Sequence, residues 1–252
     1  MFFLYAIILG LVEGVTEFLP ISSTGHLILF NQWIAFTPEF TKLFDVVIQF
    51  GAILAVVVVF WKKLLVIDTW KKILVAVIPA LVIGALFGST IKEWLFDPIV
   101  VALALIVGGL VLFFAETRRH MESIRDITKM TYGQAFAIGL IQCLAMIPGT
   151  SRSATTIIGA LFLGASRPVA AEFSFFLAIP TLAAASGYSL IKDGVTMTSD
   201  ESILLFIGFV TAFLSALAVI RLFLKYIQHK TFLPFAYYRI ALGLAILIFF
   251  AW

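Results

Sequence analysis

The segment Glu-Gly-Val-Thr-Glu-Phe-Leu-Pro-Ile-Ser-Ser-Thr-Gly-His, residues Glu13–His26, places acids, hydroxyls and a histidine inside an otherwise apolar stretch. Ionisable side chains at membrane depth are costly and persist only where they are paired, solvated or used. A purely structural role hardly accounts for two acids, a run of three hydroxyl residues and a histidine within fourteen residues. Function is therefore expected in this segment, and the proline in its middle predicts an interruption of the helix.

The composition of the whole chain is that of a polytopic integral membrane protein. Of its 252 residues 62% are hydrophobic and 12% are charged, with a mean hydropathy of +1.13, whereas a soluble domain carries about 25% charged residues. We predict a single helical membrane domain over residues 1–252, without a removable signal peptide. The net charge of +3 lies in short loops, which suits membrane orientation better than nucleic-acid binding. Cys143 is the only cysteine, so disulfides within the chain and cysteine-based metal sites are excluded.

Six apolar segments are long enough to cross a bilayer, which takes roughly 17–25 residues. They are residues 45–61, 73–90, 98–115, 171–190, 202–222 and 235–252. Two further apolar stretches, 1–44 and 134–168, are interrupted at Pro20 and Pro148 and the hydroxyl residues that follow. The pieces on either side are too short to span, so each stretch is predicted to form a re-entrant helix pair. Irregular backbone at that depth must be buried in protein or line an aqueous cavity.

The two interrupted stretches resemble each other and indicate an internal repeat. Gly10 and Pro20 of the first correspond to Gly139 and Pro148 of the second. The two copies are about residues 1–115 and 134–252. Each copy contains a re-entrant pair and three spans, and because three is odd the second copy enters from the opposite face. The predicted fold is an all-α polytopic membrane protein with six transmembrane helices and two re-entrant helix pairs in an inverted-topology repeat.

Basic residues cluster in the loops that such a topology places on one side. They are Lys62, Lys63, Lys71 and Lys72 in one loop, Arg118, Arg119, Arg125 and Lys129 in another, and Arg221, Lys225 and Lys230 after the fifth span. Loops 91–97 and 192–201 carry one lysine each. The positive-inside rule makes the basic side cytoplasmic. We therefore expect both termini and the opening of the first re-entrant pair outside, and the second pair opening to the cytoplasm.

Glu13 and Glu17 are one helical turn apart and share a helix face. Carboxylates this close repel each other. The pair either faces a water-filled cleft, forms an ion pair on the helix surface, or binds a divalent cation through oxygen ligands. We favour the cation, Mg²⁺ or Ca²⁺, with one of the acids able to exchange protons.

Ser22, Ser23 and Thr24 follow Pro20 at the predicted start of the second short helix. Hydroxyls at such positions commonly cap free backbone N–H groups, but a helix N-terminus also attracts phosphate. His26 lies within one turn of both serines. An intramembrane histidine often only joins two helices by a hydrogen bond, whereas a hydroxyl beside an imidazole is the minimum for an activated nucleophile. We favour the nucleophile.

The second interruption adds a cation at another predicted helix start. Its residues are Thr150, Ser151, Arg152 and Ser153. Because an unpaired arginine at membrane depth is costly, Arg152 is expected to pair with Glu13 or Glu17 or to bind phosphate in bidentate fashion. The hydroxyls around it favour phosphate. Two glutamates and a diphosphate carry roughly four to five negative charges, more than Arg152 and a protonated histidine balance, so a bridging divalent cation is expected.

These motifs resemble those of the undecaprenyl-diphosphatase family, the bacitracin-resistance type of membrane phosphatase. The resemblance rests on E-G-x-T-E-F-L-P-x-S-S-T-G-H at Glu13–His26 and P-G-x-S-R-S at Pro148–Ser153, and it extends through most of the chain. It implies a hydrolase of the bacterial inner membrane that removes the terminal phosphate of undecaprenyl diphosphate and confers bacitracin resistance. Such an enzyme recycles the lipid carrier of cell-wall synthesis from a site open to the periplasm. The family's roles would fall on Glu13, Glu17, Ser23, His26, Ser151 and Arg152.

Two mechanisms and two classes of function stay open at this point. Either Ser23 attacks the terminal phosphorus with help from His26 or Glu17, or a metal-activated water attacks it directly. The same interrupted helices would suit a lipid-phosphate flippase or an anion-coupled transporter, although transport needs no nucleophile and base. Asp45 and Glu172 are candidates for supporting positions or helix caps. Besides the lipid substrate and the bilayer, the sequence admits a second copy of the chain, in a homodimer, as a partner.

Overall fold

The fold is helical throughout the residues that the computed structural model describes. These are residues 1–31, 34, 36–95, 97–118, 122–193 and 197–251. Arg119 of a basic loop, Phe96 and residues 194–196 of the lysine-poor loops, and Trp252 at the end of the sixth predicted span lie outside them. Within the described ranges the chain forms ten α-helices, three short 3-10 turns and no β-strand.

Six of the ten helices are long and apolar enough to cross a membrane, and these confirm the six predicted spans. They are α3 (Pro38–Phe60), α4 (Ile67–Leu95), α5 (Pro98–Thr117), α8 (Arg167–Asp193), α9 (Ser199–Ile227) and α10 (Leu233–Ala251). Four helices are shorter: α1 (Phe2–Thr16), α2 (Ser23–Phe30), α6 (Tyr132–Gln142) and α7 (Arg152–Phe162). The short helices fall in the two interrupted stretches, as the sequence predicts.

The predicted bounds of most spans were too narrow. Helix α3 begins seven residues earlier than expected, where Thr37 accepts a hydrogen bond from the Phe40 N–H at 3.4 Å and Pro38 occupies the first turn. Helix α9 begins at a capping box formed by Thr198 and Glu201. The predicted spans cover the apolar segments only, whereas a helix extends to the residue whose capping group satisfies its free backbone N–H groups.

Glycines allow two of the short helices to lie against long ones. A Cβ at Gly10 of α1 would stand 2.6 Å from the Gly208 carbonyl oxygen of α9, and a Cβ at Gly139 of α6 would stand 2.1 Å from the Ala76 oxygen of α4. Small residues at helix contacts permit such close backbone approach in membranes. Each of the pairs α1–α9 and α6–α4 therefore joins a short helix of one half of the chain to a long helix of the other half through a similar close contact.

In each pair of short helices the start of the first helix contacts the end of the second helix or the segment just after it. Gln134 at the start of α6 donates a hydrogen bond from Nε2 to the Leu163 carbonyl at the end of α7, at 3.5 Å. The ring of Phe2, at the start of α1, stacks with that of Phe36, shortly after α2, at 6.1 Å between centroids. The interruption between the two helices of each pair consequently lies inside the bundle.

The basic loops meet at one end of the bundle. Lys63, after α3, donates to Glu172 of α8 at 2.5 Å, and Lys72 of α4 donates to the Thr128 carbonyl at 2.6 Å. A cleft of about 360 Å³ at this end is lined by these loops and by the start of α8. The grouping of the described basic loops on one side, predicted from their charges, is confirmed.

Candidate active site

The interruptions of the two short-helix pairs meet inside the bundle. Ser153, in the first turn of α7, donates from Oγ to the Leu19 carbonyl at 2.8 Å. Arg152 donates from Nη2 to Glu17 Oε1 at 2.7 Å. Glu17 and Leu19 come from the first interruption and the other two residues from the second, so the two polar segments singled out in the sequence form one site.

Both short helices that enter the site begin with a serine in the same unusual conformation. Ser22 is the N-cap of α2 with φ 71°, and Ser151 is the N-cap of α7 with φ 69°. They are the non-glycine residues with positive φ in the described part of the chain. Such a backbone costs of order 1–3 kcal/mol at each residue and persists where the surroundings hold it in place.

The two caps match the interruptions to each other differently from the two prolines. A comparison based on Pro20 and Pro148 equates Ser23 with Ser151, whereas the cap geometry equates Ser22 with Ser151. The Ser22 hydroxyl accepts from the Gly25 N–H at 3.3 Å, and the Ser151 hydroxyl accepts from the Ala154 N–H at 3.2 Å. Those two hydroxyls therefore act as caps, and Ser23 is free for another contact.

Glu17 lies at the centre of a continuous chain of polar contacts. Its Oε2 accepts a hydrogen bond from Ser23 Oγ at 2.5 Å, while its Oε1 receives Arg152 Nη2. Arg152 extends the chain with Nη1, which donates to the Ser174 carbonyl of α8 at 2.9 Å. Of the two acids that the sequence offered as partners for Arg152 besides phosphate, Glu17 and not Glu13 pairs with it among the described residues. The Nε of Arg152 is buried and has no hydrogen-bond partner among the described residues. The guanidinium therefore has one donor left for a further acceptor.

His26 is held by groups other than Ser23. Its Nδ1 lies 2.7 Å from the Ser22 carbonyl, and its Nε2 lies 2.7 Å from the hydroxyl of Tyr238. Because a carbonyl only accepts, Nδ1 carries the proton and Nε2 of the neutral ring accepts from Tyr238. Of the two assisting groups that the sequence offered for Ser23, the structure therefore places Glu17, and not His26, within hydrogen-bond distance of the Ser23 hydroxyl.

Glu13 is fully buried one turn before Glu17. No donor reaches either of its carboxylate oxygens from the described residues, and its charged neighbours are Glu17, Asp45 and Arg152. One oxygen of Asp45 is likewise buried without a partner. The described part of the chain contains no group of three metal-binding side chains already arranged around a common point.

The remaining predicted residues take supporting positions. The hydroxyl of Thr150 donates to the carbonyls of Leu144 and Ile147 and so closes the turn before α7. Thr24 lies half-buried in the first turn of α2. Glu172 does not reach the site, because it pairs with Lys63 at the basic end.

Two polar residues of the site were not identified from the sequence. Ser174 and Tyr238 lie in long apolar helices, more than twenty residues from the nearest motif. A signal was present for Tyr238, since Tyr-Tyr-Arg at residues 237–239 is a polar group within the sixth span. Ser174 stands in the run Glu172–Phe175, to which the family resemblance extends, but a single serine is common in membrane helices and no role was predicted for it.

Comparisons with known proteins agree over almost the whole chain. A family model described as bacitracin resistance protein BacA matches residues 6–245. The chain is 52% identical over 254 residues to undecaprenyl-diphosphatase 2 of Rhodospirillum rubrum, covering 96% of this chain and 93% of that protein. It is 48% identical over 260 residues to undecaprenyl-diphosphatase 1 of Clostridioides difficile, covering 97% of this chain and 95% of that protein.

Proposed function

Because the chain belongs to the family described as bacitracin resistance protein BacA, we propose that it removes the terminal phosphate of undecaprenyl diphosphate. The products are undecaprenyl phosphate and inorganic phosphate, and recycling of this lipid carrier would provide bacitracin resistance. The names of the relatives support the substrate. The observation that supports this reaction is the pair of hydrogen bonds that joins Ser23 to Glu17 and Glu17 to Arg152, where the N-termini of α2 and α7 meet.

We propose that the diphosphate binds between the N-termini of α2 and α7. Free backbone N–H groups and helix dipoles at such termini attract phosphate, and Arg152 adds a fixed positive charge. Ser23 is placed to act as the nucleophile. Its proton passes to Glu17 Oε2 as Oγ attacks the terminal phosphorus, the bond from that phosphorus to the bridging oxygen breaks, and undecaprenyl phosphate leaves. Water then hydrolyses the phosphoserine and releases inorganic phosphate.

The acids fit a divalent cation. The buried, unpartnered oxygens of Glu13 and the neighbouring carboxylate of Glu17 offer the hard oxygen ligands that Mg²⁺ and Ca²⁺ prefer. Two protein carboxylates with substrate oxygens and water completing the shell are typical of Mg²⁺ sites that act on phosphates. A bound cation would neutralise charge that develops on the transferring phosphoryl group.

Removal of the cation is expected to lower activity at least tenfold, because Arg152 alone does not balance two acids and a diphosphate. Chelation followed by addition of Mg²⁺ or Ca²⁺ to the purified protein tests this.

Glu13→Gln should weaken metal binding about tenfold in titration calorimetry, since it removes one charged ligand. The control is Glu39→Gln, at an exposed glutamate in the first turn of α3. Full activity in chelator with unchanged binding by Glu13→Gln would contradict the metal assignment.

We propose that the two short-helix pairs are re-entrant and related by an inverted repeat. The equivalent serine caps, the similar packing of α1 on α9 and α6 on α4, and the contact between the two ends of each pair all support this arrangement. In the proposed orientation the basic end is cytoplasmic and the first pair opens to the periplasm. A phosphatase reporter fused after α10 should therefore be active outside the cytoplasm of a bacterial host. Activity restricted to a cytoplasmic reporter would reverse the orientation.

A flippase or anion-coupled transporter is the competing function, since inverted repeats with interrupted helices are typical of carriers. The Ser23–Glu17 hydrogen bond favours hydrolysis, because a carrier needs phosphate ligands but no nucleophile with a base. Release of inorganic phosphate from undecaprenyl diphosphate by the protein in detergent decides between them, because transport produces no signal there. We expect catalytic turnover. Binding of the lipid without phosphate release would favour the carrier.

Tyr238→Phe is expected to lower kcat about tenfold, because His26 loses the donor that fixes its Nε2 and the ring is freed to reorient. The fold should be unaffected, since only one hydroxyl is removed. The measurement is phosphate release, with Tyr237→Phe on the exposed neighbouring position as the control. Equal loss in both variants, or none in either, would show that the Tyr238 contact does not matter to the reaction.

A further inference from the structure

Arg239 of α10 is a fully buried arginine that binds backbone carbonyls. Its Nη1 donates to the Pro20 oxygen at 3.3 Å, and its Nη2 donates to the oxygens of Gly149 at 3.2 Å and Thr150 at 2.9 Å. A further hydrogen bond from Nη2 reaches the Ala104 oxygen of α5 at 3.2 Å. Within the described residues no carboxylate forms an ion pair with it, unlike Arg152 or Arg167.

Three of the four acceptors belong to the loops that carry the site. Pro20 stands two residues before the cap Ser22, and Thr150 stands immediately before the cap Ser151. One guanidinium therefore connects both loops just ahead of their two positive-φ serines. Strained backbone of this kind persists only where the surroundings fix it from several directions, and Arg239 supplies such a contact to each loop.

We propose that Arg239 is a positioning residue that holds the two loops in register, so that the N-termini of α2 and α7 point at the same diphosphate. The proposal rests on the proposed function and adds a residue outside both sequence motifs. The hydrogen bonds of Arg239 to described residues all go to backbone carbonyls, and three of these carbonyls belong to the loops. A planar guanidinium with several fixed donors suits this task, because one group can hold several carbonyls in a set geometry.

Gly108 of α5 provides the space that this arrangement requires. A Cβ at this position would lie 2.2 Å from Arg239 Nη2 and 3.0 Å from Cζ. Gly108→Ala should therefore displace the guanidinium from the loops while the arginine is still present. Gly108→Ala disturbs the hydrogen bonds of Arg239 by a steric clash and keeps the buried positive charge.

The experiment measures kcat and KM for phosphate release in detergent, with thermal unfolding used to determine the folded fraction. For Arg239→Met we expect kcat to fall about 100-fold, because small misplacement of reacting groups has effects of that order. KM should rise about tenfold, because the two N-termini no longer converge on one ligand. Arg239→Lys should recover part of both losses, and Gly108→Ala should change both constants in the same direction. Gly187→Ala in α8, where a Cβ meets no atom within 4 Å, is the matched control and should behave as wild type.

A rise in KM is the decisive readout, since loss of folded protein lowers the apparent kcat without changing KM. Unchanged KM with activity that follows the folded fraction in both Arg239→Met and Gly108→Ala would overturn the positioning role. Wild-type kinetics in those variants would overturn it as well. If wild type and Gly187→Ala release no phosphate, the proposed function fails and the inference with it, which is a different result from failure of the Arg239 variants alone.

Discussion

Arg152→Ala is expected to lower kcat/KM for phosphate release by about 10³-fold or more, the range found when an arginine that stabilises a phosphoryl group is removed. Two losses combine in this variant. The diphosphate loses the positive charge at the N-terminus of α7. Glu17 stays buried but loses the Arg152 guanidinium, which lies 2.7 Å from its Oε1. A carboxylate left unpaired in a buried site is strongly disfavoured, so its orientation toward Ser23 would also be lost.

Arg152→Lys should recover little of this activity. The guanidinium reaches Glu17 with one nitrogen and Ser174 with another, and a single ammonium cannot reproduce that fork. Arg221→Ala, at an exposed position of α9, is the matched control and should retain full activity. Phosphate release at several substrate concentrations, on protein shown to be folded, is the measurement. Activity of Arg152→Ala within tenfold of wild type would exclude Arg152 as the cation that binds the diphosphate.

Glu17→Gln is expected to reduce kcat by about 10³-fold, which is about 4 kcal/mol in transition-state stabilisation. Glutamine has nearly the same shape and can still hydrogen-bond to Ser23 and Arg152, but it cannot take up the Ser23 proton. Shape and packing are retained, but the buried Arg152 loses its anionic partner, so kcat is compared with the folded fraction determined by thermal unfolding. Glu39→Gln at the exposed start of α3 is the control for the loss of one acidic charge.

The size of the Ser23→Ala effect separates the two mechanisms. If Ser23 is the nucleophile and Glu17 its base, Ser23→Ala should be as inactive as Glu17→Gln, and the double variant no worse than either, because residues that act as one unit are not additive. Near-normal turnover by Ser23→Ala would favour direct attack by water. Near-normal turnover by Glu17→Gln would exclude Glu17 as the base in either mechanism.

The sequence predicted that the two polar segments lie together, but it did not predict most of the contacts between them. Both polar interruptions were recognised as parts of one site, because acids and an arginine in apolar segments need a reason to be there. For Ser23 the sequence offers two assisting groups, His26 within one turn of the same helix and Glu17 before the interruption, and spacing alone does not choose between them. In the structure the His26 ring instead binds Tyr238, and Ser23 turns to Glu17 across the interruption. The spacing of residues along a helix predicts which of them are neighbours on that helix. It does not predict contacts with residues of another helix.

The comparison of the two interruptions shows a related limit of sequence patterns. Aligning the two prolines placed the copies one residue away from the register that the serine caps define. The geometry of these two helix starts depends on which residue has positive φ and on which hydroxyl accepts a hydrogen bond from a free backbone N–H. The number of residues between the proline and that serine differs between the two interruptions. Arg239 was not singled out for a different reason: its acceptors are carbonyls, which every residue carries.

The sequence by itself determined the class of fold, the six long helices, the two interruptions and the residue types of the site. These follow from hydropathy, helix length and the cost of polar groups in an apolar setting, all of which are local properties of the chain. Only the tertiary structure decided that Arg152 pairs with Glu17, that Glu17 receives Ser23, and that α10 contributes Tyr238 and Arg239. Those choices depend on how elements distant in the chain pack against one another: Arg152 and Glu17, for example, stand 135 positions apart in the sequence.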